Sequence, residues 1–476
     1  MQNNTTIKNL IVPLSLLIST TLISTGSIAQ EQQKVLTLES TVEMARNNDP
    51  WLVGNRYSQD AIESSSIAAG TLPDPKVSMG IANIGTDNFD FGQEAMTQFK
   101  VGVSQMFPRG DSLDLRKEQL RLTGSQYPFQ REDRKAMVTV TAAKLWLDAY
   151  MAQESIALIE KDRTLFEQLA DVAQASYSSA VGKTRQQDII RAQLELTRLD
   201  DRLTMLNQKL QMSEQRLSEW LSQYLGGNYS DPSEGGSFEF FDLVFSRTMP
   251  NVRMLEEALY TSDRAINSQK LFEYFSNHPS VKALDQKIKA SKSGIDLAKQ
   301  NYKPEWGVNA GYGYRDTAPT GIDRSDLFSV GVSFDIPIFT GNRQDKQVQS
   351  AISKSSAVKT EKWLLVRRLI ASFETNRSQL VRLNERQKLF QDKLLPQMHD
   401  QAEASLTAYT NDDGDFAEVV RARIAELNAS IDSLTIDVER QKSIIQLNYF
   451  FMKSVDQIIT YNVGIAANNR SFGENK

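Results

Sequence analysis

The chain has 476 residues, 40% hydrophobic and 24% charged, which suits a large packed structure and excludes a wholly disordered one. Its formal charge of -5 gives no reason to expect a nucleic acid or other polyanion as partner. Cysteine is absent, which removes disulfides, thiolate chemistry, cysteine-type zinc sites and a lipid-attachment cysteine together.

Residues 1-29 carry one charged side chain, Lys8, an apolar stretch from Leu10 to Ile23 interrupted by Pro13, and then Ser27-Ile28-Ala29, a small-x-small cleavage pattern. The stretch is shorter than the ~18 residues of a spanning helix, so a secretory signal peptide is expected rather than an anchor, with the mature chain starting near Gln30. Without Lys8 the formal charge becomes -6. No later segment resembles a spanning apolar helix, which leaves an exported soluble protein or a β-barrel.

A first unit is expected over residues 30-225. Asn48-Asp49-Pro50 opens a helix that ends near Pro73. Strict alternation then predicts two strands, with Val77, Met79 and Ile81, and Phe99, Val101 and Val103, set against small or polar residues. After Pro108 a helical pattern covers about 111-180, with Pro128 expected to kink it. A tip containing Gly182 follows. From Ile189 the positions Ala192, Leu196, Leu199, Leu203, Leu206, Leu210, Leu217 and Trp220 form a heptad seam broken at Ser213.

Residues 226-276 read as a linker and equatorial segment: turn-rich sequence from Gly226 to Gly236, then one short helix over 252-275. A second unit, 277-452, repeats the plan of the first. Asn277-His278-Pro279 opens a helix ending near Pro304. Trp306, Val308, Ala310, Tyr312 and Tyr314 alternate with small or polar residues, as do Phe328, Val330, Val332, Phe334 and Ile336. Val330-Gly331-Val332-Ser333 and Pro337 repeat Val101-Gly102-Val103-Ser104 and Pro108 at one offset. A helix over 342-410, kinked at Pro396, leads to a tip at Gly414 and a second seam from Val420 through Leu427, Ile431 and Val438 to Gln441 and Ile445. Residues 453-476 are expected as an equatorial tail. Each long helix would reach on the order of 100 Å at 1.5 Å per residue.

Strands of about 9-11 residues with unlike faces are long enough to cross a bilayer when tilted, though a soluble sandwich would show the same alternation. Four strands cannot close a membrane barrel, and lipid cannot satisfy open edges. The expected fold is therefore a mixed α and β membrane protein. Three copies share a twelve-stranded barrel, four strands from each chain, which continues into a tunnel of long coiled-coil helices.

Leu72-Pro73-Asp74-Pro75 before an alternating strand, and Ile336-Pro337-Ile338-Phe339-Thr340-Gly341-Asn342-Arg343 after one, resemble signatures of the TolC family of outer-membrane efflux proteins. The resemblance covers essentially the whole mature length. With Phe107-Pro108-Arg109-Gly110 it looks most like the branch that includes CusC and CzcC, outer components of heavy-metal efflux pumps, although that branch often has an N-terminal cysteine that is missing here. It implies a passive homotrimeric duct in the outer membrane of a Gram-negative bacterium, with its tunnel in the periplasm. A periplasmic adaptor and an inner-membrane transporter, of the RND type, are the implied partners; no cofactor or nucleic acid is. Heavy-metal cations are one implied cargo. A type I protein secretion duct would have the same architecture, and a secreted coiled-coil scaffold or adhesin would use the heptads but not the strands.

The moving parts of such a duct are its hairpin tips. Tyr409, Asp412, Asp413 and Asp415 around Gly414 are candidates for an acidic periplasmic gate, because crowded carboxylates repel and favour cations; Asp before a helix is also an ordinary cap. Val181, Gly182, Lys183 and Arg185, with Gly414, are the candidate adaptor contacts, and Lys183 and Arg185 read equally as solvated cations. Pro73, Pro108, Pro304, Pro337 and Gly341 mark the barrel-to-tunnel transition. Asp87, Asp90, Asp316, Asp323 and Asp326, with Phe89 and Phe91, belong to the outer loops, narrowing the exit or coating the surface. Catalysis is not expected: His278 and His399 have no zinc-ligand spacing, and no nucleophile or phosphate-loop motif is present.

Overall fold

The computed structural model describes residues 35-178, 186-225, 237-239, 243-262, 266-411 and 413-460. The expected signal peptide, the first tip with Val181, Gly182, Lys183 and Arg185, most of the linker, Asp412 and residues 461-476 lie outside the described residues.

The chain begins with β1 (Val35–Leu36), α1 (Leu38–Asn47) and α2 (Pro50–Ala69), then β2 (Lys76–Ala82) and β3 (Gln98–Phe107). The first long hairpin is α3 (Ser112–Gly124), α4 (Tyr127–Ser178) and α5 (Gln186–Leu221). Short pieces follow: β4 (Gln223–Leu225), β5 (Ser237–Glu239), β6 (Val244–Phe245), α6 (Glu257–Tyr260) and α7 (Ser268–Ser276). Then come α8 (Pro279–Lys299), β7 (Trp306–Tyr314) and β8 (Leu327–Phe334). The second hairpin is α9 (Gln344–Leu389), a π-turn (Phe390–Leu394), α10 (Leu395–Thr410) and α11 (Phe416–Phe451).

The four long strands form one antiparallel sheet in the order β2-β3-β7-β8. Beneath it α2, α3, α8 and α9 pack in a row in the same order, each against its neighbour. The two prolines expected to kink the long helices act differently. Pro128 lies four residues after Gly124, where its ring would meet the Gly124 carbonyl, and the helix ends there and restarts after Ser125-Gln126. The pattern over 111-180 is thus two helices, not one kinked helix. At Pro396 the wider π-turn absorbs the conflict and the helix runs on.

The 252-275 segment is likewise two short helices, α6 and α7, rather than one. With the tail it forms a belt on the helical body. Tyr260, Leu271, Phe275, Val455 and Ile458 are buried in one cluster with Trp146 of α4, Phe373 of α9 and Phe450 of α11. Buried amides of α11 hold the belt's irregular backbone. Gln441 Oε1 accepts from the Val252 amide at 3.0 Å, and Asn448 accepts from Leu255 N and donates to the Arg253 and Ile458 carbonyls. A hydrophobic residue at either place would leave belt amides or carbonyls unpaired. The sequence pattern gave no sign of the small pairings β1 with β6 and β4 with β5.

The two Asn-x-Pro motifs each cap a helix. Asp49 accepts from Trp51 N and is held by the Arg134 guanidinium, which also lies over the Trp51 and Trp220 rings. His278 caps α8 through Nδ1 with its side chain 1% exposed. Its Nε2 is 3.3 Å from the Tyr449 carbonyl, and the Tyr449 hydroxyl donates to Asp133 at 2.9 Å. Burial pushes His278 down from 6.5 to about 4; burial also pushes Asp133 up, against the opposing hydrogen bond from Tyr449. Below pH 6.5 the unfolded chain binds a proton that the folded chain refuses. Stability is therefore full above that value and falls until about pH 4, by about 3 kcal/mol from this site. His278→Asn keeps a capping side chain without the proton site. Its thermal midpoint, followed in detergent from pH 7.5 to 4.5, should fall less than that of the parent protein; parallel curves would show that His278 does not carry the acid sensitivity.

Candidate functional site

Register places the alternating apolar positions on one face of the sheet; Met106 and Leu327 alone of the large apolar strand residues fall on the other. Val77, Val103, Ala310 and Val330 lie in one row, and Met79, Val101, Tyr312 and Phe328 in the next. Phe107, Trp306 and Phe334 close this face at one end, and Phe99 with Tyr314 at the other. The Trp306 and Phe334 rings are 5.0 Å apart. The face is exposed, Met79 at 72% and Phe328 at 73%, so it is no sandwich core. Between the aromatic ends stand mostly valines. Eight residues separate Trp306 from Tyr314, about 26 Å along the strand, which matches an apolar band flanked by aromatic girdles in a lipid-facing wall. The bands were not foreseen, because they appear only when rows from different strands are aligned.

The other face holds Gly80, Ser78, Gly102, Ser104, Asn309, Gly311 and Gly331, with Lys76 and Lys100. β2 and β8 each have one ladder edge with no partner among the described residues. Loops 83-97 and 315-326 meet at one end of the sheet, where Arg324 donates to the Gly92 and Glu94 carbonyls. Asp87, Asp90, Asp316, Asp323 and Asp326 all lie in these loops, and Asp326 accepts from the Tyr312 hydroxyl and Arg315 N.

At the opposite end each strand meets a helix through a short coil. Pro73, Pro108, Pro304 and Pro337 lie one in each of these four coils, and Gly341 lies in the turn before α9. Gly110 has φ +48°, a conformation that turns the chain from β3 into α3 at little steric cost only without a Cβ. Arg109 ties the coils together by bonding Asp335 and the Lys303 carbonyl.

In the second tip, Asp413 N donates to the Ala408 carbonyl at 2.9 Å, folding the loop back on α10. A Cβ on Gly414 would come within 2.6 Å of Tyr409 N, so the loop has room only for glycine. Tyr409 packs edge-on against buried Phe416 at 5.7 Å. Asp413 and Asp415 are exposed, but Asp415 caps α11 by accepting from Ala417 N at 3.2 Å. The cap reading thus holds for Asp415. Phe416, Val419 and Val420 join Phe166 and Leu169 of α4 and Ile189 of α5, which ties the two hairpin ends together.

Above the tip His399 bonds Glu426 at 2.7 Å, and Arg423 bridges Glu426 and Glu403. By accepting a hydrogen bond from the ring, the Glu426 carboxylate pushes the His399 pKa up. This network joins α10 to α11 and was not foreseen, because its members read singly as helix surface. Among the described residues no group of three or more metal-binding side chains is present, and no helix is long and apolar enough to cross a membrane.

No protein-family pattern and no curated protein matches the chain. Solved structures do. CusC, studied for conformational changes that accompany folding and transmembrane channel formation, superposes with a TM-score of 0.68 at 13% identity, over 87% of this chain and 91% of its own. The CmeC outer membrane channel of Campylobacter jejuni gives 0.66 at 13%, over 93% and 94%. The open state of the MtrE outer membrane channel of Neisseria gonorrhoeae gives 0.64 at 13%, over 87% and 88%. The chain has the fold of these outer-membrane channels, in agreement with the TolC resemblance read from its motifs.

Asp415→Ala should remove about 1 kcal/mol of capping and speed amide hydrogen exchange in the first turn of α11 about fivefold. Asp413→Ala, which removes no helix cap, should leave that turn unchanged. Equal effects from the two would show that Asp415 has no special part in holding the helix.

Proposed function

We propose that the chain is the outer-membrane exit duct of a tripartite efflux pump, a passive homotrimer and not an enzyme. One observation carries this reading: a four-stranded sheet with an exposed apolar face between two aromatic bands and an unpaired edge on either side. Pairing β8 of one copy with β2 of the next closes twelve strands, removes every open edge and turns the apolar face toward lipid. Because each strand continues into one helix of the row, the same closure gathers the helices into a tunnel.

The barrel then lies in the outer membrane of a Gram-negative cell and the hairpins project into the periplasm. The tips, with Val181, Gly182, Lys183, Arg185 and Gly414, meet a periplasmic adaptor, and an inner-membrane transporter of the RND type supplies the energy. Tyr409, Asp412, Asp413 and Asp415 line the periplasmic closure. Pro73, Pro108, Pro304, Pro337 and Gly341 set the change from barrel to tunnel. The Leu-Pro-Asp-Pro motif and the likeness in fold to CusC would fit heavy-metal cargo, but CmeC and MtrE superpose nearly as well, so the fold by itself does not choose the cargo. A secretion duct would share the wall, whereas an adhesin or scaffold leaves the apolar face without a partner.

Fractionation with unheated gel electrophoresis tests the reading: a membrane-bound trimer that dissociates on boiling is expected, and a water-soluble monomer would end it. Val330→Arg, on the apolar face near mid-sheet, should cost about 2–4 kcal/mol in lipid and greatly reduce the trimer. Ser329→Arg, one residue along on the opposite face, should assemble normally. Equal assembly of the two would mean that the apolar face does not meet lipid.

A further inference from the structure

In a duct each helix of the row has a luminal side and an outer side, and two observations distinguish them. Phe272 of the belt stacks on Trp363 of α9 at 5.4 Å, so the belt covers that side. Lys354 is nine residues from Trp363, two and a half turns, and so points the opposite way. There a groove of about 670 Å³ runs between α3, α8 and α9 across Gly294 and Ala298. The recess beside it, next to the sheet, is lined by the same Gly294 and Ala298 together with Arg116 and Glu305. Glu305 precedes β7 in step with Gly307 and Asn309, which places it on the sheet's small, polar face. The groove therefore continues the surface that a closed barrel turns inward.

That surface is basic. Arg343, Lys346 and Lys354 line the groove, all exposed and without a side-chain partner among the described residues, and no carboxylate lines it with them. Arg116 stands in the adjoining recess, and Lys76 and Lys100 on the same face of the sheet. Against these six stand Asp74, in step with Lys76, Glu305 and Asp335, and Asp335 is already paired with Arg109. In a trimer each cation recurs three times around the axis. Lys346 and Lys354 are about 12 Å apart along the helix, near one Debye length at 0.1 M salt, so their rings act as one continuous field.

We propose that the upper lumen of this duct is an anion-selecting segment and that its cargo is organic anions, carboxylates, sulfonates or phosphates, rather than free metal cations. This rests on the duct reading. Rings of Arg and Lys favour anion passage as rings of carboxylate favour cations. Because the side chains are solvated and mobile they supply a field without a tight site, and a conduit must release what it attracts. The acidic tip does not cancel the field, since α9 to α10 separates them by roughly 100 Å, many screening lengths.

The test uses the purified trimer at 0.1 M salt. In planar bilayers under a KCl gradient the wild type should prefer chloride to potassium. Arg343→Gln/Lys346→Gln/Lys354→Gln should lower the chloride-to-potassium permeability ratio about threefold. Lys292→Gln, exposed and two residues from Gly294, so about 200° round α8 from it and not among the groove's lining, should leave the ratio unchanged. A second measurement does not need an open tip: the detergent-solubilised trimer should bind pyrene tetrasulfonate, and the triple variant about tenfold more weakly. A conducting wild type that prefers potassium, or a triple variant with the wild-type ratio and dye affinity, would overturn the proposal. Failure of the duct reading would be seen separately and earlier, as a soluble monomer on sizing before any current or dye is measured.

Discussion

A strand edge exposed to lipid has nowhere to place its amides and carbonyls, and this one constraint orders the molecule. β2 and β8 each keep one such edge, and the face between them carries Phe, Trp, Tyr and Val into the surroundings. Neither feature is stable for a lone copy in water or in lipid; joining copies edge to edge removes both at once. The opposite face shows the complement. Gly80, Gly102, Gly311 and Gly331 with intervening serines leave an inner surface with little bulk. The helix row inherits the order of the strands, so in the proposed assembly barrel and tunnel would share one stoichiometry and need no separate interface.

The middle of the molecule answers a different problem, how to fasten an irregular belt to a smooth helical surface. Hydrophobic burial alone would leave the belt's backbone groups unpaired. Gln441 and Asn448 of α11 supply the missing partners from inside the core, and Trp146 Nε1–H gives the Leu36 carbonyl of β1 a second donor beside the Ser246 amide, each at 3.0 Å. The two Asn-x-Pro starts show that one sequence position can be solved by opposite electrostatics. Asp49 is paired with the Arg134 guanidinium, whereas burial holds the His278 ring toward its neutral form although the Asp133 carboxylate lies 3.9 Å away.

Much of this was legible in the sequence because the signals were strong and local. Alternation with Val, Phe and Trp against Gly and Ser located all four long strands, and prolines marked their junctions with helices. The heptad seams from Ile189 and from Val420 were legible, and so were their interruptions at Ser213 and Gln441, but the reason for Gln441 was not, since its partner Val252 lies in a segment with no periodicity of its own. Pro128 was read as a kink because proline alone does not reveal whether a helix has a π-turn available, as near Pro396, or a Gly124 at which to stop. The basic groove was invisible for a related reason. Arg343, Lys346 and Lys354 look like any solvated helix face until the order of α3, α8 and α9 shows which side of the wall they occupy.

The tip and the upper lumen make different use of charge. At the tip backbone geometry comes first: Gly414 fits against Tyr409, Asp413 folds the loop back through its amide, and Asp415 caps α11, so part of the acidic cluster serves to hold the hairpin closed upon itself. A carboxylate that accepts from a helix amide is less available to a passing cation than its count in the sequence suggests. Arg343, Lys346 and Lys354 at the start of α9 have no such duty, being exposed and without a side-chain partner among the described residues. Charge that shapes the fold and charge that meets the cargo are thus separated along the axis, and the end nearer the barrel is where the field of this wall is free to act on what passes.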